Sequence, residues 1–90
     1  MKLIRAMTSF WKVHDFPYIR AVEISDEELL KISLVLTRED LIEWLIWNDR
    51  NGIYSDEDSI NEFGQAITRE EALKIFIRQI TENRPLMRLI

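Results

Sequence analysis

The segment that most constrains how this chain folds is Leu-Ile-Glu-Trp-Leu-Ile-Trp, residues 41–47. Six of its seven residues are apolar, and only Glu43 interrupts them. Over two helical turns this composition leaves no polar face for solvent, which is typical of a helix with neighbours on several sides. We therefore predict that residues 40–47 form a central helix of the hydrophobic core.

Four short polar sequences favour helix starts. The Thr37 hydroxyl can accept from the backbone N–H of Asp40, and the Asp40 carboxylate can accept in return from the backbone N–H of Thr37. A hydroxyl residue followed three positions later by an acid recurs at Ser25, Ser55 and Thr68. The recurrence at about thirty residues leaves a duplicated helix pair as an alternative, although the two halves differ outside these starts.

The start at Ser25 leads into a helix that we predict over residues 26–36. The start at Thr37 then favours a sharp turn at Leu36 and Thr37, because a continuous helix would leave that capping sequence unused. A single helix over residues 26–47 is the alternative, since apolar residues recur at helical spacing across the junction.

Two further helices are predicted in the second half of the chain. Gly52 should adopt a positive φ in the loop before the first of them, and Gly64 should end that short helix. The second helix should stop at Asn83 and Pro85, because proline lacks a backbone N–H and blocks helix continuation. We then expect residues 86–90 to form an extended apolar tail.

The first quarter of the chain is more ambiguous. Apolar side chains in residues 2–13 recur at helical spacing and predict an amphipathic helix. A strand remains an alternative there, because Thr8 and Ser9 are poor helix formers. Pro17 ends this element. Residues 19–24 alternate in part between apolar and charged side chains, which indicates an extended connector or a short edge strand.

Composition favours one small helical domain. The chain has 90 residues, 47% of them hydrophobic, so we expect a single domain over residues 1–90. With two glycines and two prolines, few tight hairpin turns are available. We predict a mainly α single-domain bundle of four or five helices, with a short extended segment at the N-terminal or C-terminal end.

Charge is distributed unevenly along the chain. Residues 25–75 contain thirteen acids and five bases, each flanking segment has a net charge of +2, and the total is −4. An acidic middle argues against nucleic-acid binding by the central helices. Most of these acids stand in the first turns of predicted helices, where the helix dipole favours negative charge.

The sequence lacks the usual signs of a membrane or secreted protein. No apolar run approaches the roughly 20 residues of a membrane-spanning helix. Charge within the apolar N-terminal stretch argues against a secretory signal. The chain has no cysteine and hence no disulfide framework. We expect a cytoplasmic protein that does not bind a membrane.

One loop sequence, residues 49–58, suggests a metal ion. If Gly52 takes the sixth position of a calcium-binding loop, the third, fifth and twelfth positions fall on Asp49, Asn51 and Asp58. Trp47 then takes the first position, where a carboxylate belongs. We therefore expect no metal or other cofactor, and keep a calcium-type switch in this loop as an alternative.

Catalytic groups are few. His14 and Asp15 form one candidate acid–base pair, with Thr8 or Ser9 as a nearby hydroxyl. Adjacent side chains rarely point at each other, and a histidine at a helix end is usually a solvent-facing residue. Trp44 and Trp47 could together stack a ligand, but a helix this apolar favours a core position for both. We expect no enzymatic activity.

By elimination, we expect a non-catalytic protein–protein interaction or regulatory module. The apolar tail is the predicted contact, and self-association into a homodimer is the predicted consequence, since four large apolar side chains need a surface to cover them. Those residues are Leu86, Met87, Leu89 and Ile90. The alternatives are the calcium-type switch and an acidic competitor of nucleic acid for a basic partner.

Overall fold

A computed structural model describes the backbone of residues 9–88 and the side chains of residues 9–84. All regular structure within this part of the chain is helical, which confirms the predicted mainly α fold. The helices are six rather than four or five, because two of them are single turns. In chain order they are α1 (Phe10–Val13), α2 (Arg20–Glu23), α3 (Asp26–Val35), α4 (Arg38–Asn48), α5 (Asp56–Phe63) and α6 (Arg69–Arg88).

The core lies mainly between α4 and α6, which have the most extensive contact of any two helices in the described part of the chain. Both helices place large apolar side chains in this contact at helical spacing. The residues of α4 and α6 without exposed surface are Leu41, Trp44, Leu45, Ala72, Phe76 and Ile80. The predicted role of α4 as the central helix is therefore confirmed.

One face of α4 is nevertheless open to solvent. Ile46 is 43% exposed and Trp47 is 40% exposed. The helix has neighbours on more than one side, as expected, since α6 packs on it and Phe10 and Tyr18 bond to it, but not around its whole circumference. The physical reason is that α6 covers only one face of α4, whereas apolar residues occupy more of its circumference than a single helix neighbour can bury.

The turn between α3 and α4 is where the sequence predicts it. Leu36 and Thr37 are extended, and Thr37 forms the predicted capping box: its hydroxyl accepts from Asp40 N at 3.1 Å, and its own N–H donates to Asp40 Oδ2 at 2.9 Å. Arg69 of α6 stabilises the C-terminal end of α3 by donating to the carbonyls of Ser33 and Leu36. Two helices, not one, are therefore present.

Residues 19–24 are not an extended connector or an edge strand, and that expectation is wrong. They contain α2, whose Ala21 and Val22 are buried. Arg84 of α6 donates from Nε to the carbonyl of Val22 at 3.2 Å and from Nη2 to that of Ile24 at 2.8 Å. These bonds satisfy carbonyls at the end of a single turn that is too short to be stable alone.

The predicted helix over residues 2–13 is only partly within the described residues. Helix α1 begins at Phe10, and Ser9 before it has extended backbone, with ψ of 134°. A continuous helix through Ser9 is therefore wrong, while residues 1–8 lie outside the description. The Phe10 N–H donates to Asp40 Oδ1 at 3.1 Å, which pins the start of α1 to α4.

Helix α6 does not stop at Asn83 and Pro85, so the prediction of an extended tail is wrong for Leu86 and Met87. Helical backbone continues through Pro85 to Arg88. The preceding turn is held by tertiary bonds, because the Arg84 side chain also pairs with Asp26 on α3. Leu89 and Ile90 lie outside the described residues. Homodimer formation through these four residues stays a prediction.

No helix within residues 9–88 is long and apolar enough to cross a membrane. The longest, α6, carries charged residues throughout its length.

Candidate interaction groove

The loop between α4 and α5 is shaped by the contact of Gly52 with Tyr54. A Cβ atom at Gly52 would lie 2.1 Å from Tyr54 Cε2, so the ring can lie there only because glycine has no side chain. Gly52 does not have a positive φ, and that prediction is wrong. Glycine is required here for close approach and not for backbone conformation.

Tyr54 is fixed from two sides. Its hydroxyl donates to Asp49 Oδ2 at 2.9 Å and accepts from Gln79 Nε2 of α6 at 2.8 Å. Gln79 also accepts from Asn48 at 2.7 Å. Burial is the main cause that raises the pKa of Tyr54 above its ordinary value. The neutral hydroxyl therefore holds the loop against α6.

Helix α5 follows this loop and has few buried side chains. Its C-terminus follows the prediction, because Gly64 has the left-handed backbone, φ 84°, that commonly ends helices. Ser59 is its one buried residue among those described. Ile60 is 52% exposed and Phe63 is 62% exposed. The last turn of α5 thus leaves a large aromatic ring in solvent.

These elements enclose a groove of 490 Å³ that opens to solvent. Four separate segments of the chain build it: the loop after α4, the end of α5, the connector to α6 and the first turns of α6. Its lining residues are Asn51, Gly52, Ile53, Tyr54, Phe63, Gln65, Ala66, Ile67, Glu71 and Ile75. The volume is within the range of about 300–1,000 Å³ that is typical of ligand-binding sites.

Among the residues whose side chains are described, Glu71 is the one charged residue that lines this groove. Its Oε1 accepts from the backbone N–H of Thr68 at 2.9 Å, and the Thr68 hydroxyl accepts from Glu71 N at 3.1 Å. The bond from the Thr68 backbone is the main cause that lowers the pKa of Glu71. The carboxylate is therefore ionised at neutral pH and already has a hydrogen-bond partner.

The groove was not among the sites predicted from the sequence. Its residues are spread over positions 51–75, and no periodic pattern links them. One signal was present: Ile60 and Phe63 are large apolar residues in a helix with too few others to bury them.

The predicted calcium-type loop has a different set of bonds. The Asp49 carboxylate accepts from the Tyr54 hydroxyl, and Asp58 N donates to Ser55 Oγ at the start of α5. Throughout the side chains of residues 9–84, no three His, Cys, Asp or Glu side chains converge as metal ligands would. The loop residues thus take part in tertiary and capping contacts.

The His14 ring and the Ser9 hydroxyl, two groups of the candidate acid–base site, have different contacts. His14 follows α1 and contacts the ring of Phe10, with centroids 4.7 Å apart. The Ser9 hydroxyl points elsewhere and donates to Glu43 at 3.1 Å. Trp44 is buried while Trp47 is 40% exposed, so the two indoles do not form one exposed stacking surface.

Glu43, the single polar residue of the central apolar segment, attaches the N-terminal region to α4. Its carboxylate accepts from the Tyr18 hydroxyl at 2.6 Å and from the Ser9 hydroxyl. The Trp44 indole N–H donates to the carbonyl of Tyr18 at 2.9 Å. Burial, followed by the hydrogen bond and negative charge of Glu43, raises the pKa of Tyr18 to about 12.

We predict that this raised pKa makes stability fall between pH 10 and 12. An unfolded tyrosine loses its proton near pH 10, so above that pH the unfolded state binds fewer protons than the folded state. The contribution is complete below pH 10 and is lost as the pH rises through about 12. Urea unfolding of the wild type and of Tyr18→Phe at several pH values should show a smaller alkaline decrease in the variant. Equal decreases in the two proteins would show that Tyr18 is not the cause of the alkaline loss of stability.

We also predict that Gly52→Ala displaces the Tyr54 ring and destabilises the protein by about 1–3 kcal/mol, the usual cost of overpacking. Gly64→Ala is the matched control, because a Cβ there meets no atom within 4 Å and only its positive φ is strained. Tyrosine absorbance should therefore change in the first variant and not in the second, and urea unfolding measures both costs. Unchanged tyrosine absorbance in Gly52→Ala would contradict the contact.

Comparison of the chain with models of protein families, with curated proteins and with solved structures finds no match. We therefore infer function from the chain's own geometry.

Proposed function

We propose that this protein is a non-catalytic protein–protein interaction module that binds its partner in the groove between α5 and α6. The observation that supports this most directly is the groove itself, an open apolar surface with the 62% exposed ring of Phe63 at its wall. A large aromatic side chain left in solvent beside a groove is typical of an interface anchor.

The polar atoms of the groove support binding of an apolar partner over catalysis. The Tyr54 hydroxyl is already bonded to Asp49 and Gln79, and the Glu71 carboxylate is bonded to Thr68. A catalytic site needs an acid, base or nucleophile that is free to reach a substrate. What this groove offers to a ligand is mainly apolar contact area.

The two alternative functions have less support from the geometry. A calcium-type switch would need Asp49 as a ligand, yet its carboxylate is bonded to Tyr54. A competitor of nucleic acid would need its acids displayed on one surface. Three acids are less available for this, since Asp40 is buried in the first turn of α4 and Asp26 and Asp56 are paired with arginines.

Phe63→Ser should weaken binding of the partner by about 2 kcal/mol or more, roughly thirtyfold, as truncation of an aromatic anchor does. Leu30→Ser is a matched control, because Leu30 is 64% exposed, close to the 62% of Phe63, and does not line the groove. Affinity capture with the wild type and both variants, followed by titration of each captured protein, measures the effect.

A partner retained by Leu30→Ser and lost by Phe63→Ser would support the groove as the interface. Equal retention by both variants would reject it. Both substitutions replace exposed side chains, so circular dichroism should show unchanged helix content.

A further inference from the structure

The loop after α4 contains the one asparagine–glycine pair of the sequence, Asn51 and Gly52. When glycine follows asparagine, its backbone nitrogen can attack the side-chain amide carbon of the asparagine and close a five-membered ring, because glycine has no side chain to obstruct the approach. The other asparagines are followed by Asp49, Glu62 and Arg84, whose side chains do obstruct it. Position 51 is therefore where the sequence hinders this reaction least.

The surroundings of Asn51 let water reach its amide. Asn51 is exposed, whereas Asn48 and Asn83 are only partly exposed and bond to each other at 3.4 Å. Asn61 is exposed too, but it lies within α5, where helical hydrogen bonds engage the backbone N–H of the next residue. An exposed loop amide and a glycine nitrogen thus coincide at Asn51.

The turn seen in the structure is the unreactive state of this pair. The Gly52 N–H donates to the Asp49 carbonyl at 3.1 Å, which closes a four-residue turn and engages the proton that must leave before the nitrogen attacks. The Tyr54 ring lies against Gly52, and its hydroxyl is bonded to Asp49 and Gln79. The reaction therefore requires local opening of residues 49–54, which the Tyr54 bonds oppose.

We propose that Asn51 is a site of spontaneous covalent modification, which reacts with Gly52 when the loop held by Tyr54 opens. The Gly52 nitrogen bonds to the side-chain carbon of Asn51, the bond from that carbon to the amide nitrogen breaks, and ammonia leaves with the proton lost by Gly52. The product is a cyclic imide, a succinimide. Water then opens the imide at its side-chain carbonyl to give aspartate, or at its main-chain carbonyl to give isoaspartate.

Both products change the lining of the groove. Each adds a carboxylate at position 51 of a surface that Glu71 also lines. Isoaspartate in addition lengthens the main chain by one carbon before Gly52, which moves this residue relative to the Tyr54 ring that lies against it. The modification alters the proposed interface, but it takes place whether or not a partner binds there.

Mass spectrometry of the full-length protein, incubated near neutral pH and then digested, tests the proposal. Conversion replaces NH2 by OH and raises the mass of the peptide that contains Asn51, and chromatography separates its aspartate and isoaspartate forms. The peptide that contains Asn61 is the internal control, since this side chain is also exposed. Conversion at Asn51 should exceed that at Asn61 by about tenfold or more, because glycine leaves the attack unobstructed. Isoaspartate should be present, since direct hydrolysis of the amide gives aspartate alone.

Tyr54→Phe tests the control by the loop, because it keeps the ring beside Gly52 and removes both bonds of the hydroxyl. Conversion at Asn51 should rise by about fivefold, as expected when a typical hydrogen bond of the closed loop is lost. Tyr18→Phe is the matched control, since it removes a bonded hydroxyl outside the loop. Hydrogen exchange of the Gly52 N–H should accelerate together with conversion, since both report opening of the turn.

The other outcomes overturn separate parts of the proposal. Conversion at Asn51 that does not exceed that at Asn61, or aspartate without isoaspartate, would overturn the modification site. Equal rates in Tyr54→Phe and the wild type, or equal acceleration by Tyr54→Phe and Tyr18→Phe, would overturn the control by the loop. None of these results bears on the interaction groove, which capture with Phe63→Ser tests separately.

Discussion

Trp44→Ala should destabilise the protein by about 3–5 kcal/mol, the range for truncation of a large buried side chain. Trp44 has no exposed surface, and its ring meets that of Phe76 edge to face with centroids 4.9 Å apart. The substitution also removes the indole N–H that donates to the carbonyl of Tyr18. A small domain has a total stability of about 5–15 kcal/mol, so much of it would be lost.

Trp47→Ala is the matched control, since the same substitution lies one helical turn away at a 40% exposed position. Trp47 stacks on Tyr18 with centroids 5.2 Å apart, and loss of that contact should cost about 1 kcal/mol. Urea unfolding followed by far-UV circular dichroism measures both variants. Similar costs would mean that α4 is not buried on its Trp44 face, and the α4–α6 core described here would be wrong.

Asp40→Ala should have the second largest effect, about 2–4 kcal/mol. One carboxylate oxygen accepts from the Thr37 N–H at 2.9 Å and the other accepts from the Phe10 N–H at 3.1 Å. Asp40 is 6% exposed, so water cannot easily replace the carboxylate. The expected cost combines a lost helix cap, about 1 kcal/mol, with that of leaving the partly buried Phe10 N–H without a partner, about 1–3 kcal/mol.

Glu71→Ala is the control that tests whether the bond from the Phe10 N–H to Asp40 contributes to stability. Glu71 forms the same reciprocal box with Thr68 at the start of α6, but its position is exposed. Its truncation should therefore cost clearly less than that of Asp40. Urea unfolding of the two variants decides the point: costs within about 0.5 kcal/mol of each other would show that the bond to Phe10 adds no stability.

The helix starts and the turn at Thr37 could be predicted because their determinants are local. The capping bonds of Thr37 and Asp40 join residues three positions apart, and the same holds at Ser55 and Thr68. Gly64 likewise ends α5 through its own backbone conformation. Such features depend little on the rest of the chain, so a short window of sequence contains the physical cause.

The predictions that are wrong concern segments whose local structure depends on residues distant in the sequence. Helix α2 depends on the Arg84 side chain, some 60 positions away, which bonds to its last carbonyls. The same tertiary bonds hold the turn of α6 that precedes Pro85. The sequence predicts that position 52 needs glycine for a positive φ, whereas glycine is needed there because the ring of Tyr54 lies against it. In each case a side chain overrides the local preference of the backbone.

The sequence by itself determined the fold class, the order of the main helices and the central place of α4, because apolar periodicity and caps act within a few residues. Only the tertiary structure decided which apolar side chains stay exposed. Trp44 and Trp47 have the same chemistry, yet one is buried on α6 and the other meets solvent. The groove is likewise tertiary, since its wall forms only where residues 51–67 fold against α6 and leave Phe63 uncovered.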